Sequence, residues 1–216
     1  MSRSSKSWMR EHVSDPYVQK AKAHGYRSRA AYKLLELDKK DRLLLQGHRV
    51  VDLGAAPGSW SQVAAAKIGA KGKLVEVDLL PMQPLPGVHF IQGDFREQAV
   101  LDALMLALGG RKADLVISDL APNISGIGAS DQARSLHLCE LALDFARLCL
   151  KPGGSLLVKV FQGAGFTQFL AEMRRSFAKV ASRKPEASRG RSSEMYLLGT
   201  GLKAETGTEA GADAQG

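Results

Sequence analysis

A short apolar run enters a glycine turn at Val50-Val51-Asp52-Leu53-Gly54-Ala55-Ala56-Pro57-Gly58-Ser59-Trp60, and a helical pattern begins at about Trp60. In an open α/β sheet such a turn lies at the carboxyl end of a strand, where these folds bind ligands. The glycine spacing narrows the ligand. Gly54 and Gly58 are separated by three residues, so the G-x-G-x-x-G of dinucleotide sites is absent. No Lys-Ser or Lys-Thr pair follows to make a phosphate-binding P-loop. Asp78 ends the next strand pattern, Lys73-Leu74-Val75-Glu76-Val77-Asp78. A carboxylate at that point suits the hydroxyls of a ribose. A glycine turn and a ribose carboxylate without a phosphate cradle suggest a nucleoside cofactor such as S-adenosylmethionine (SAM). A strand-to-helix turn with no ligand is the alternative at this stage.

With 216 residues, the chain has room for one α/β domain with a sizeable core. Met1 to Val13 is polar and basic, without the apolar stretch of a secretory signal, and no run approaches the length of a membrane span. Cys139 and Cys149 form neither a C-x-x-C pair nor a metal cluster. They read as buried reduced thiols of a cytoplasmic protein, and no metal site is expected. The net charge of +8 is uneven. Residues 1–49 carry 12 Lys and Arg against 5 Asp and Glu, residues 174–191 carry 7 against 1, and residues 50–173 carry 10 against 12. Two basic segments around a near-neutral core favour a polyanion such as nucleic acid over a merely solvated charged face.

The chain divides into a basic arm (1–25), a single domain (26–202) and a disordered tail (203–216) rich in Gly, Ala, Thr and Glu. A short helix is expected after Asp15-Pro16, and a second from Ser28 to about Leu37. Strand patterns then alternate with helical ones. The strands are Arg49–Leu53, Lys73–Val77, Val88–Ile91, Asp114–Ser118 and Ser155–Val160. The helices are Trp60–Ile68, Arg96–Leu108, Asp131–Leu150 and Thr167–Phe177. Lys151-Pro152-Gly153-Gly154 reads as a stop after the long helix. Continuous apolar strands such as Leu115-Val116-Ile117 suit a parallel sheet covered on both faces. Val180–Arg183 and Met195–Gly199 have only a basic loop between them and read as an edge hairpin, making a seven-stranded mixed sheet with an antiparallel last strand.

The polar residues expected at the strand carboxyl ends are Asp52, Asp78, Asp94, Asp119 and Lys159. An antiparallel last strand starts at the same edge, so Glu194 could face Asp119 and Lys159. Asp94 is read either as the cap of a helix from Arg96 or as a contact to an adenine edge. Lys159 places a charge within Val158-Lys159-Val160-Phe161, and a buried charge needs partners. It is either a structural ion pair or part of an active site.

Together these motifs resemble the FtsJ (RrmJ-type) family of ribose 2′-O-methyltransferases, and in length its bacterial members that act on a uridine of large-subunit rRNA. The likeness runs from about Trp8 to Leu202. It is carried by Arg27–Leu34, Asp52–Gly58, Asp78–Met82, Ser118–Asn123, Val158–Gly163 and Arg189–Tyr196. It implies a Rossmann-like SAM-dependent methyltransferase fold with helices on both faces of the sheet. It puts a catalytic Lys-Asp-Lys-Glu tetrad on Lys33, Asp119, Lys159 and Glu194, and SAM contacts on Gly58, Trp60, Asp78, Asp94 and Asp119. The implied substrate is 23S rRNA, as the assembled or assembling 50S subunit, met by a monomer through segments 1–49 and 174–191. Arg27, Arg29, Arg189 and Arg191 are the candidate phosphate contacts. Ser59 departs from the family's usual second glycine. Two roles are open for Lys159: a neutral base tuned by Lys33, or a cation that stabilises the developing alkoxide. Tyr196 reads as a core residue with base stacking as the alternative. An NAD-linked enzyme is disfavoured by the missing glycine fingerprint. A base-amino methyltransferase is disfavoured because Asp119-Leu120-Ala121-Pro122 lacks a Pro-Pro-aromatic motif. A non-catalytic RNA-binding module is disfavoured by the complete tetrad.

Overall fold

The alternating strand and helix patterns fold into one sheet. The structure is a computed structural model that describes residues 15–122, 125–126, 128–188 and 192–204. In chain order the elements are α1 (Pro16–Ala23), α2 (Ala30–Asp41), β1 (Arg49–Leu53), α3 (Ser59–Ile68), β2 (Lys73–Asp78), β3 (His89–Gln92), α4 (Gln98–Ala107), β4 (Ala113–Ser118), α5 (Gly128–Cys149), β5 (Leu150–Phe161), α6 (Phe166–Ser176), β6 (Phe177–Arg183) and β7 (Glu194–Leu202). The sheet order is β3-β2-β1-β4-β5-β7-β6. β7 runs antiparallel to both β5 and β6, and the other pairings are parallel. The order reverses between β1 and β4, the switch point at which open α/β sheets bind ligands.

Two apolar layers cover the sheet. Val51, Leu53, Val75, Val77 and Val116 pack on one face with residues of α4, α5 and α6. Val50, Leu74, Leu115, Ile117 and Leu157 pack on the other with α2 and α3. Strands buried on both sides need no apolar-polar alternation, which accounts for the continuous apolar runs.

Several boundaries differ from the sequence-based expectation. α5 begins at Gly128, not Asp131; Asp131 instead accepts from the backbone N–H groups of Ser125 and Gly126 and ties the preceding loop to the helix. The expected stop at Lys151–Gly154 lies inside β5. The register shifts there, between Ala113 and Leu115 on β4, and residues 151–153 are exposed. Part of the expected arm belongs to the folded body. Asp15 caps α1 by accepting from Tyr17 N at 2.9 Å, and Val18 and Ala21 are buried. Ala21 joins Tyr32 of α2 and Ala187 of the β6–β7 loop in a small third cluster. Residues 1–14 of the arm and 205–216 of the tail lie outside the described residues.

Candidate active site

β1 ends under the glycine turn, and the turn's shape explains two glycines. Gly54 has φ +72°, and a Cβ there would meet Leu120 Cδ2 at 2.2 Å. Gly58 has φ +97°, and a Cβ there would meet the Arg27 guanidinium at 2.5 Å. Both backbones therefore approach neighbours too closely for a side chain. Ser59 starts α3 and is buried; its hydroxyl pairs with that of Ser28 at 2.7 Å. The cap position of α2 is Arg29 rather than the expected Ser28, whose hydroxyl still accepts from Ala30 N at 3.2 Å.

The turn opens on a cavity of about 180 Å³ lined by Gly54, Asp78, Gly93, Asp94, Phe95 and Leu120, among others. Asp78 accepts from Ala56 N at 2.9 Å and from Leu80 N at 2.8 Å, so one carboxylate joins the turn to the loop after β2. Asp94 does not cap a helix from Arg96, because α4 starts at Gln98. It accepts from Arg96 N at 3.0 Å and is chelated by the Arg96 guanidinium, which holds its carboxyl below the usual range. The Trp60 side chain turns away from the cavity. Its indole donates to Ala30 O at 2.9 Å and its ring packs on Tyr196, so at the turn it offers backbone alone.

Lys33, Asp119, Lys159 and Glu194 meet at the ends of α2, β4, β5 and β7. Lys159 Nζ donates to Asp119 O at 2.7 Å and lies 3.1 Å from Asp119 Oδ1. Lys33 Nζ lies 2.6 Å from Glu194 Oε1. The tetrad is therefore two ion pairs, Lys159 with Asp119 and Lys33 with Glu194. Tyr196 stands between them. It is the register partner of Lys159, its hydroxyl donates to Asp119 Oδ1 at 2.7 Å, and the Lys33 ammonium lies 6.0 Å from its ring centre. Burial and both carboxylates hold the Tyr196 hydroxyl protonated by pushing its pKa well up. Its ring is core, as the pattern suggested, but its hydroxyl belongs to the site.

Two further residues were not singled out by the sequence for the roles they have here. Ser188 donates to Glu194 Oε1 at 2.9 Å, the oxygen that also meets Lys33. Arg27, expected on phosphate, donates to Pro57 O at 2.9 Å and Pro84 O at 3.0 Å. It clasps the glycine turn to the loop after β2. Arg29 is likewise held, by Asp15 and by Ala187 O. Arg189 and Arg191 lie outside the described residues.

A Rossmann-like sheet with an antiparallel β7 and a glycine turn at its switch point makes this an α/β protein of the kind that binds a ligand at that turn. The chain belongs to the FtsJ-like methyltransferase family, whose description matches residues 26–202. It is 60% identical over 201 residues to "Ribosomal RNA large subunit methyltransferase E" of an Azoarcus species, covering 93% of this chain and 98% of that one. The protein of the same description from Chromobacterium violaceum is 61% identical over 202 residues, covering 94% of this chain and 98% of that one. Among solved structures, a putative ribosomal RNA methyltransferase from Plasmodium falciparum matches with TM-score 0.75 and 33% identity, over 82% of this chain and 98% of that one. Fibrillarin from Aeropyrum pernix, solved with natively bound SAM, shares the fold at TM-score 0.56 and 16% identity, over 81% of this chain and 75% of that one.

The residues present fit SAM, the cofactor of this methyltransferase class. Gly54 lets the turn backbone lie against Leu120 on the cavity wall, Phe95 and Leu120 give an apolar lining, and Asp78 contributes a carboxylate to the same wall. Among the described residues no helix is long and apolar enough to cross a membrane, and no group of His, Cys, Asp or Glu is placed to hold a metal.

Proposed function

We propose that this chain transfers the methyl group of SAM to the 2′-hydroxyl of a uridine ribose in 23S rRNA, acting in the cytoplasm as a monomer on the assembled or assembling 50S subunit. Relatives about 60% identical over nearly their whole length carry a large-subunit rRNA methyltransferase description, which supports the substrate class. The observation that carries the reaction type is the Lys159 ammonium held between two oxygens of Asp119 beside the Lys33–Glu194 pair. A ribose hydroxyl is a weak nucleophile that gains negative charge as it attacks, and a cation fixed nearby stabilises that charge without reorganising.

SAM supplies an activated methyl group on a sulfonium. The protein's part is to hold the ribose oxygen in line with it, and such positioning lowers a barrier by about 7–11 kcal/mol. Asp78 suits the donor's ribose hydroxyls, Asp94 and the cavity walls its adenine, and Gly58, the Trp60 backbone and Asp119 the turn side of the donor. On the acceptor side, both Lys159 contacts are acceptors, and Lys33 is engaged with Glu194 rather than placed beside Lys159. That arrangement favours the cationic role of Lys159 over the neutral base. The hydroxyl proton then leaves to solvent as the oxygen is alkylated, while Glu194 and Tyr196 keep the two lysines apart and oriented.

RNA reaches this edge through segments 1–49 and 174–191. Arg27 and Arg29 are spent on internal contacts, which moves the phosphate role in the first segment toward exposed lysines such as Lys22, Lys39 and Lys40. The test is transfer of labelled methyl from SAM to isolated large subunits lacking the modification. Alkaline hydrolysis of the product RNA then reads the position, because a 2′-O-methyl removes the hydroxyl that attacks the phosphodiester. Label on a uridine with a resistant bond is the expected result. Label on a base, or none on any rRNA, would reject the assignment.

A further inference from the structure

Beneath the glycine turn lies a pair of acids that the methyl-transfer chemistry does not use. Asp52 and Glu76 are register partners on β1 and β2, so their side chains leave the same face of the sheet. Both are buried, at 1% and 0% exposure. Ser61, from the first turn of α3, donates its one hydroxyl proton to Asp52 Oδ2 at 2.7 Å. That leaves both carboxyl oxygens of Glu76 buried with no hydrogen-bond partner among the described residues. An ionised carboxylate in that position is costly, so the pair keeps a proton.

The surrounding charges are named readily. Asp52 feels Glu76, Asp119 and Asp78, all of which raise its affinity for a proton, and burial is the largest cause of a pKa pushed up to about 8. Glu76 is raised chiefly by burial, with the Ser61 hydroxyl and Arg27 opposing. Arg27 is already committed to the carbonyls of Pro57 and Pro84 above the turn. The donor side of the site thus surrounds its turn with carboxyl groups; of the basic groups near it, Arg27 is held by carbonyls, Arg96 by Asp94, and the His137 imidazole on the cavity wall lies 4.0 Å from Glu140. Such a place gains when a positive charge arrives, because the cation favours the ionised form of each acid.

We propose that Asp52 and Glu76 share a proton in the free protein and release it to solvent when a sulfonium-bearing donor occupies the turn, so that the pair ranks the charged donor above its uncharged thioether product. Glu76 is then a positioning and discriminating residue of the donor site. The inference rests on SAM as the cofactor and is independent of which RNA atom is methylated. By linkage, donor affinity rises with pH wherever binding releases protons, approaching about tenfold per pH unit for a full proton.

Titration calorimetry of the whole protein near neutral pH, in two buffers of different ionisation enthalpy, counts the protons. SAM should release more protons than S-adenosylhomocysteine, and the ratio of their affinities should rise with pH. In Glu76→Gln, which keeps the shape but cannot ionise, the excess release should shrink and the ratio should flatten. Asp52→Asn provides a second arm, with thermal melting to confirm folding. Equal proton counts for the two ligands, or undiminished excess release in both variants, overturns the proposal. Absence of any SAM binding heat rejects the cofactor assignment itself, a distinct result.

Discussion

The two buried acidic sites of this sheet are built in opposite ways. At the acceptor edge each carboxylate has a cation: Asp119 holds Lys159 and Glu194 holds Lys33, with Tyr196 between them. Under the donor turn, Asp52 and Glu76 have one hydroxyl between them and no ion pair among the described residues. Paired charges stay charged when buried, whereas unpaired acids are neutralised by protons. In the proposed reaction the acceptor edge keeps a fixed cation for a developing anion, and in the proposed linkage the donor side gains negative charge when a cation binds.

The sharpest way to break this contrast is to unpair the acceptor edge. Lys159→Ala should lower single-turnover methyl transfer by about 10²–10³-fold, the usual weight of one preorganised electrostatic contact. SAM affinity should be nearly unchanged by calorimetry. Leaving Asp119 without its cation should also cost about 3–5 kcal/mol in denaturant unfolding. A rate flat from about pH 6 to 10 in the wild type, with chemistry limiting, supports the cation; a rate that climbs with lysine ionisation restores the base.

Tyr196→Phe is milder. The ring still packs on Trp60, but Asp119 loses a donor, and a hydrogen bond to a charged group contributes about 1.5–3 kcal/mol. Transfer should fall roughly tenfold, with each factor of ten equal to about 1.4 kcal/mol of barrier. An unchanged rate would place the hydroxyl outside the site.

Arg27→Ala opens the clasp between Pro57 and Pro84, and a several-fold rise in the SAM dissociation constant is expected, because only part of the about 1 kcal/mol contributed by each hydrogen bond is felt at the donor site. The salt dependence of RNA binding should hold its slope. A flatter slope with normal SAM binding would return Arg27 to the phosphate role.

The last test concerns pH and stability. Asp52 has a raised folded pKa, so the native state binds more protons than the unfolded chain between the ordinary carboxylate range and about pH 8. This contribution to stability is complete at low pH and declines as pH rises through that window. Asp52→Asn should flatten the decline of stability between about pH 5 and 8. A decline of undiminished slope would mean that Asp52 is ionised in the native protein.

Much of the acceptor site was legible in the chain because its residues sit at strand ends, and strand ends are set by local pattern. Lys159 interrupts an apolar strand, and Glu194 opens the last one. Glu76 was legible as a strand residue but not as half of a pair, because its partner is 24 positions away and only the β1–β2 register brings the two together. Arg27 shows the reverse error. Its charge and its basic neighbours suggested RNA, but its guanidinium satisfies two backbone carbonyls within the protein. Composition records a charge without recording what it faces.

The sequence by itself determined the strand and helix order, the glycine turn without a phosphate cradle, and the residue types of the tetrad. The first two follow from local periodicity and steric demands, as do Asp119, Lys159 and Glu194 at strand ends, whereas Lys33 was read from the family resemblance alone. Only the tertiary structure decided which lysine pairs with which carboxylate, that a core tyrosine lends its hydroxyl to the site, and that two acids lie unpaired beneath the donor turn. Pairing depends on strand register and on which buried groups have spent their donors. Those quantities exist only once distant segments are packed together.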